Sequence, residues 1–258
     1  MAKFCIDPGH GGSDSGGVGG KRKEKDDALR LAIQVGKRLE EQGHTVLLTR
    51  PVDEFVKIAQ RTAAANRAKC DYFLSIHRNT GPATAHGLEI WVHSRATART
   101  VQQAKDILDA CVKVHGTNRG VKKGAASPDY ENYGVNSQTD MPSALLEMLF
   151  ITSAEDNKAF DRYLDDYALA IAQGLAKAVG EQWKPLPDGA SVMQAGDTVE
   201  IRPGAVYGGL AGTRGAKVPA FATRRRYTVK QLATHKGTPE ALLDGINSWV
   251  SLAFLRRK

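Results

Sequence analysis

KFCIDPGHGG, Lys3 to Gly12, is the stretch from which the fold of this 258-residue chain can be read. A short strand-forming run, Lys3–Ile6, meets a Pro-Gly turn. Glycines there let the backbone approach closely, while His10 is presented at the strand end. Working outward, Thr45–Thr49, Tyr72–Ile76, Leu88–Val92 and Ala144–Phe150 are further short apolar runs that read as strands. Helical patterns fall between them. One runs from about Glu24 to Gln42, with Leu29, Ala32, Ile33, Val35, Gly36 and Leu39 at helical spacing and Gly43 as its stop. Others cover about Thr97 to Val114 and about Ala154 to Gln182, the last opening on Ser153-x-x-Asp156, a capping-box pattern. Strands alternating with helices predict an α/β domain with a mainly parallel sheet flanked by helices, whose site lies at the carboxyl ends of the strands.

Composition narrows the class. A chain with 41% hydrophobic and 25% charged residues can bury a core and is not disordered. It has no apolar run of about 18 residues, so no membrane partner is expected. The N-terminus reaches a Pro-Gly turn within eight residues, and without the apolar core of a signal peptide the chain is expected to be made in the cytoplasm. Cys5, Cys70 and Cys111 are odd in number and widely spaced, which predicts buried free thiols.

The net charge of +8 calls for a polyanionic partner: nucleic acid, membrane or wall polymer. Its distribution is uneven. There are 25 basic and 23 acidic residues before Pro185 but 11 basic and 5 acidic after it, so three quarters of the excess lies in the last quarter of the chain. Trp183 to Ser191, with two prolines and a glycine, reads as a break. The expected organisation is a first domain over 1–183, a linker over 184–191 and a second domain over 192–258.

The first and third strands both deliver a histidine, His10 and His77, to the same edge of the sheet, an arrangement suited to zinc. A hydrolytic zinc takes three protein ligands, often two His and a carboxylate, and leaves a fourth position open. Glu24, where the first long helix starts, is the candidate third ligand; the alternative is a solvated carboxylate opposing the helix dipole. Glu147 interrupts the apolar strand Leu145–Phe150. Burying a lone carboxylate is costly, so it is either half of a structural ion pair or, beside a metal, a general base and acid.

Taken together, IDPGHGGSDSGG, Glu24-Lys25-Asp26, Leu48-Thr49-Arg50 with Asp53, Arg61 with Ala65-Asn66, Asp71 to His77 with Asn79, and Leu146-Glu147 with Phe150-Ile151 form six ordered blocks. Over about residues 3 to 180 they resemble the zinc-dependent N-acetylmuramoyl-L-alanine amidases of the amidase 3 type, found in autolysins and endolysins. The resemblance implies one zinc ion held by His10, Glu24 and His77, with Glu147 catalytic, in hydrolysis of the amide between the lactyl group of N-acetylmuramic acid and L-alanine. Arg78, Leu149 and Ser153 depart from the family pattern, and the first two are expected to border the cleft and bear on substrate preference. His86 is expected near the cleft, and His235 in a turn.

After residue 192, short segments at Thr198–Arg202, Ala205–Tyr207, Lys217–Pro219, Tyr227–Leu232, Ala241–Leu243 and Trp249–Ser251 predict a small β-barrel. Its motifs resemble the bacterial SH3-like wall-binding domains of endolysins. Tyr207, Arg224, Arg225, Arg226, Tyr227 and Trp249 are the candidate wall-binding residues, although the arginines also suit a solvated turn. The expected partners are peptidoglycan and a wall polymer, not nucleic acid. The protein is expected to act at the wall after release, as a phage or prophage endolysin.

Overall fold

Alternate residues of the central strands are buried on opposite faces, which explains why these strands read as continuous apolar runs. The computed structural model describes residues 1–184, 195–202, 204–209, 211, 215–235 and 238–257. The chain divides into two compact units that part near residue 185. Most of the expected linker, residues 185–191, lies outside the described residues.

The first unit runs β1 (Lys3–Pro8), β2 (Val18–Gly19), β3 (Arg22–Lys23), α1 (Glu24–Glu41), β4 (Thr45–Leu48), α2 (Ile58–Ala68), β5 (Tyr72–Asn79), β6 (Leu88–Val92), α3 (Ala98–Val114), β7 (Asn118–Lys123), α4 (Gly134–Ser137), β8 (Ser143–Phe150), α5 (Ala154–Arg162) and α6 (Leu164–Ala178). Six strands form a sheet in the order β4-β1-β5-β8-β6-β7. Every pairing is parallel except β6 with β8, so the sheet is mostly parallel. One face carries Phe4, Ile6, Leu74, Ile76, Ile90 and Leu146 into the main core with residues of α1, α3 and α6. The other carries Cys5, Phe73, Trp91 and Leu145 into a smaller cluster with Ala65 of α2 and Val135 of α4. All three cysteines are free and buried, as expected.

The long C-terminal helix is two helices. The chain breaks at Tyr163 (φ −110°, ψ 20°), whose ring stacks on His115, while the Tyr167 hydroxyl donates to the His115 carbonyl. The break thus seats both tyrosines on the end of α3, a tertiary demand that helical periodicity does not reveal. The capping box at Ser153 is half formed. Its hydroxyl accepts from the Asp156 N–H, but the Asp156 carboxylate accepts from the N–H groups of Phe150 and Gly87 instead of reaching back. Sequence patterning also passes over α2 and β7. The latter, NRGVKK, is a polar edge strand made by pairing, and its basic residues suit an edge.

In the second unit, β9 (Thr198–Ile201), β10 (Arg226–His235), β11 (Thr238–Leu243), β12 (Ser248–Ser251) and β13 (Leu255–Arg257) form an antiparallel sheet in the order β12-β11-β10-β9-β13. Val199, Ile201, Val229, Leu243, Val250 and Leu255 form its core. Tyr207 and Lys217, expected within strands, make isolated bridges to Val250 and Val206. His235 ends β10 instead of lying in a turn.

Candidate active site

The turn after β1 is held from beneath by two buried arginines. Arg50 donates to the carbonyls of Pro8 (3.0 Å), Gly9 (2.7 Å) and Lys25 (2.8 Å). Arg61 donates to the carbonyls of Pro8 and His10, each at 2.6 Å, and to Asp7 Oδ1 at 2.9 Å. Asp7 also accepts from Ser75 Oγ (2.6 Å) and from Thr49 Oγ1. This clasp holds His10 in the left-handed region (φ 58°), which costs a non-glycine residue about 1 kcal/mol or more. The turn needs its glycines for space. A Cβ on Gly16 would lie 2.6 Å from Glu24 Oε2, and one on Gly9 would strike the His77 ring.

Glu24 is the first residue of α1, brought under the turn by the β2–β3 hairpin. Its Oε1 lies 2.8 Å from His77 Nδ1 and 3.2 Å from His10 Nε2, and accepts from the Arg78 N–H at 2.9 Å. Its Oε2 accepts from the Gly17 N–H at 2.7 Å. Burial opposes its charge, yet the two histidines hold the carboxyl far below its usual range. Burial likewise opposes charge on His10, but hydrogen bonds to Glu24 and to Asp14, whose Oδ2 is 2.9 Å from Nδ1, push its pKa up to about 9.

One nitrogen from each imidazole and one carboxylate oxygen lie within 4.8 Å of one another. These donors suit zinc. The buried Glu24 carboxylate draws positive charge to this point, where a divalent cation would be held. Asp14 on the far nitrogen of His10 fixes its ring in the way partners of metal-bound histidines do.

Beside this cluster, β8 is paired with β5 so that Glu147 stands opposite His77, and with β6 so that it stands opposite Glu89. Glu147 Oε2 is enclosed, with no hydrogen-bond partner among the described residues. Burial raises its carboxyl to about 7 against the pull of His77 and His10, with repulsion from Glu24 and Glu89 adding to the rise. Just beyond, one extra residue bulges from β8, between the pairs His77–Glu147 and Asn79–Phe150. Leu149 takes the left-handed conformation there (φ 64°), and Met148 and Leu149 both enter the main core. The bulge returns Phe150, three residues on, to the face that holds Glu147.

This arrangement has known relatives. The N-acetylmuramoyl-L-alanine amidase profile of the amidase 3 type matches residues 4–180. The chain belongs to this amidase family. It is 36% identical over 182 residues to the N-acetylmuramoyl-L-alanine amidase CwlM of Bacillus licheniformis, covering 69% of each chain. It is 34% identical to the endolysin of Bacillus phage SPP1, over 69% of this chain and 66% of that one. The catalytic domain of CwlV, the amidase of Bacillus (Paenibacillus) polymyxa var. colistinus, superposes with a TM-score of 0.62 at 29% identity, covering 70% of this chain and 100% of that one. This amidase is a peptidoglycan hydrolase.

Two departures from the amidase pattern fall differently from expectation. Arg78 does not border the cleft: the residue after His77 points to the opposite face of β5 and is 2% exposed. It pairs with Asp27, donates to Asn157 Oδ1 at 2.7 Å and stacks over Phe160 at 4.2 Å. Leu149 is fully buried and faces the core, so it shapes the cleft only through the bulge. His86 is exposed and bonds locally to the Thr84 carbonyl.

In the second unit, Tyr227 is 6% exposed and its hydroxyl donates to the Ala222 carbonyl, which makes it a core residue of that sheet rather than part of an open binding surface. Tyr207 and Trp249 are half-buried, and Arg225 and Arg226 are exposed. The backbone of Arg224 lies in a 3-10 turn; its side chain is outside the described structure.

Sequence reasoning gave no role to Arg50, Arg61, Asp14 or Glu89. Arg50, Arg61 and Asp14 lie inside the blocks that carry the resemblance. Only the folded turn shows that the two guanidinium groups hold it and that Asp14 meets the His10 ring.

Proposed function

We propose that the chain is a zinc-dependent endolysin-type amidase, cutting between N-acetylmuramic acid and L-alanine, with a second unit that holds it on the wall. The observation that carries this reading is Glu147, whose buried Oε2 has no hydrogen-bond partner among the described residues, standing opposite His77 beside a donor set of His10, Glu24 and His77. When bound there, zinc supplies Lewis acidity toward the amide carbonyl and toward water. The residues of the chain do the rest. His10, Glu24 and His77 would hold the ion at the edge of β1 and β5. Glu147, with a carboxyl near 7, takes the proton of the attacking water and delivers it to the departing alanine nitrogen. The Arg50 and Arg61 clasp keeps the turn from relaxing between turnovers.

The test is digestion of purified walls with and without chelator. New L-alanine amino termini, with lactyl-muramic acid left intact, are the expected products, and chelator suppresses them. New reducing sugars or released acetate would overturn the reading.

The targeting role of the second unit rests on its share of the positive charge and its resemblance to SH3-like wall-binding domains. No helix among the described residues is long and apolar enough to cross a membrane. A chain ending at residue 184 should still load zinc and cleave soluble muramoyl peptides, with weaker lysis of whole cells. A reporter fused to residues 190–258 should decorate walls of susceptible cells and be released only in part by about 0.2 M salt, where the Debye length is below 8 Å. Tight binding of that fusion to duplex DNA, with walls left bare, would overturn the targeting role.

A further inference from the structure

Across the sheet from the donor set, the row His77 on β5, Glu147 on β8 and Glu89 on β6 continues to Arg119 on β7. Glu89 is 4% exposed and its acceptors are fully engaged. Its Oε1 accepts from Trp91 Nε1 at 3.0 Å, and its Oε2 from Arg119 Nε at 2.8 Å and Lys122 Nζ at 3.2 Å. One carboxylate faces two cations, so the trio keeps an excess positive charge. Arg119 is also stacked on Phe150, 4.9 Å from the ring centroid, the residue that the bulge returns to this face. Held at Nε from one side and by the ring from beneath, its Nη1 and Nη2 have no partner among the described residues, and 35% of the side chain is open to solvent. That is a preorganised fork for a planar anion.

We infer that Arg119 is a substrate-binding residue that receives a carboxylate carried by the second residue of the peptide leaving the scissile amide. This rests on the amidase reading given above. Glu147 can protonate the departing nitrogen only if that nitrogen lies on its side of the donor set, so the leaving peptide runs from β8 over β6 toward β7. Those two strand spacings amount to about 10 Å. Two extended residues span about 7 Å, and the Arg119 side chain closes the difference. The first side chain past the cut therefore passes over Glu89, and the group on the second residue meets the guanidinium. A carboxylate there forms two charge-assisted hydrogen bonds. A carboxamide offers only its carbonyl oxygen, so it keeps one neutral hydrogen bond, loses the second and sets an N–H against a cation.

Two wall preparations separate these cases: glycan strands whose peptides carry a free carboxylate on the second residue, and the same strands with that group as a carboxamide. The wild-type chain should cleave the carboxylate form with a kcat/KM about tenfold or more above the carboxamide form, the difference lying in KM. In Arg119→Gln the ratio should fall to about one, and Arg119→Lys, which keeps the charge but not the fork, should keep part of it. Zinc content and circular dichroism establish that each variant is folded. A wild-type ratio near one, or an unchanged ratio in Arg119→Gln, overturns the inference while leaving the amidase reading intact. Failure of the wild-type chain to release peptide from either preparation overturns both.

Discussion

His77→Ala protein should hold well under one zinc per chain and lose wall hydrolysis by a factor of about 10³ or more, since a hydrolytic zinc with two protein ligands is neither retained nor kept open on one side only. The geometry makes this a test of the site rather than of folding. The His77 ring is 17% exposed and packs against the His10 ring at 4.8 Å, outside both sheet cores. Its loss leaves no buried apolar cavity. It does leave Glu24 with one imidazole fewer, so a modest fall in thermal stability is expected, with the circular dichroism spectrum retained. Zinc measured by metal analysis on the purified chain is the readout. Stoichiometric zinc in the variant would remove His77 from the donor set.

Glu147→Gln should do the opposite: bind zinc as the wild type does, stay folded, and lose turnover by a factor of 10² to 10⁴ or so, the range for removing a positioned general base. Glutamine keeps the volume and removes only the titrating group. Its amide is no worse buried than the carboxylate, whose Oε2 already lacks a partner among the described residues. The two variants therefore separate metal binding from proton transfer. The pH profile gives a second readout. In the metal-free chain burial and acidic neighbours raise the carboxyl to about 7, and a dication held by His10, Glu24 and His77 would draw it down, so the wild-type rate should climb at or below neutral pH, as the base form accumulates, and level above it. Near-normal turnover in Glu147→Gln would return the residue to a structural role.

How far these features were legible in the sequence differs by level. The strands of the first unit were readable because burial on both faces makes them continuously apolar, as in Leu145–Phe150, and the charge in that run marked Glu147 without any knowledge of what faced it. His10 and His77 could be placed on one edge because parallel strands share an edge by construction. Glu24 was ambiguous from local sequence, since an acidic residue at a helix start is favourable with or without a metal; the six ordered blocks favoured ligation. What failed were the directions of side chains. Arg78 and Leu149 are close to site residues along the chain, but one alternation of the strand and one bulge turn them to the far face. Arg119 was invisible because its strand has no apolar pattern, and its setting comes from a partner thirty residues earlier and a ring thirty-one residues later.

The position of β8 has a consequence for how the enzyme comes into being. The donor set is complete by residue 79, but the strand that supplies Glu147 is the last of the sheet to be synthesised and must be inserted at its centre, between β5 and β6. Until it docks, β5 and β6 have no common neighbour, and the sheet is two separate edges. Closing it means joining segments about seventy residues apart in sequence, a slow, late event by the logic of loop closure. With the roles proposed for these residues, a chain made only as far as β6 and β7 holds the donor set but lacks the carboxylate assigned to proton transfer. Docking of β8 would then complete the fold and the chemistry together, leaving a partly made chain inert.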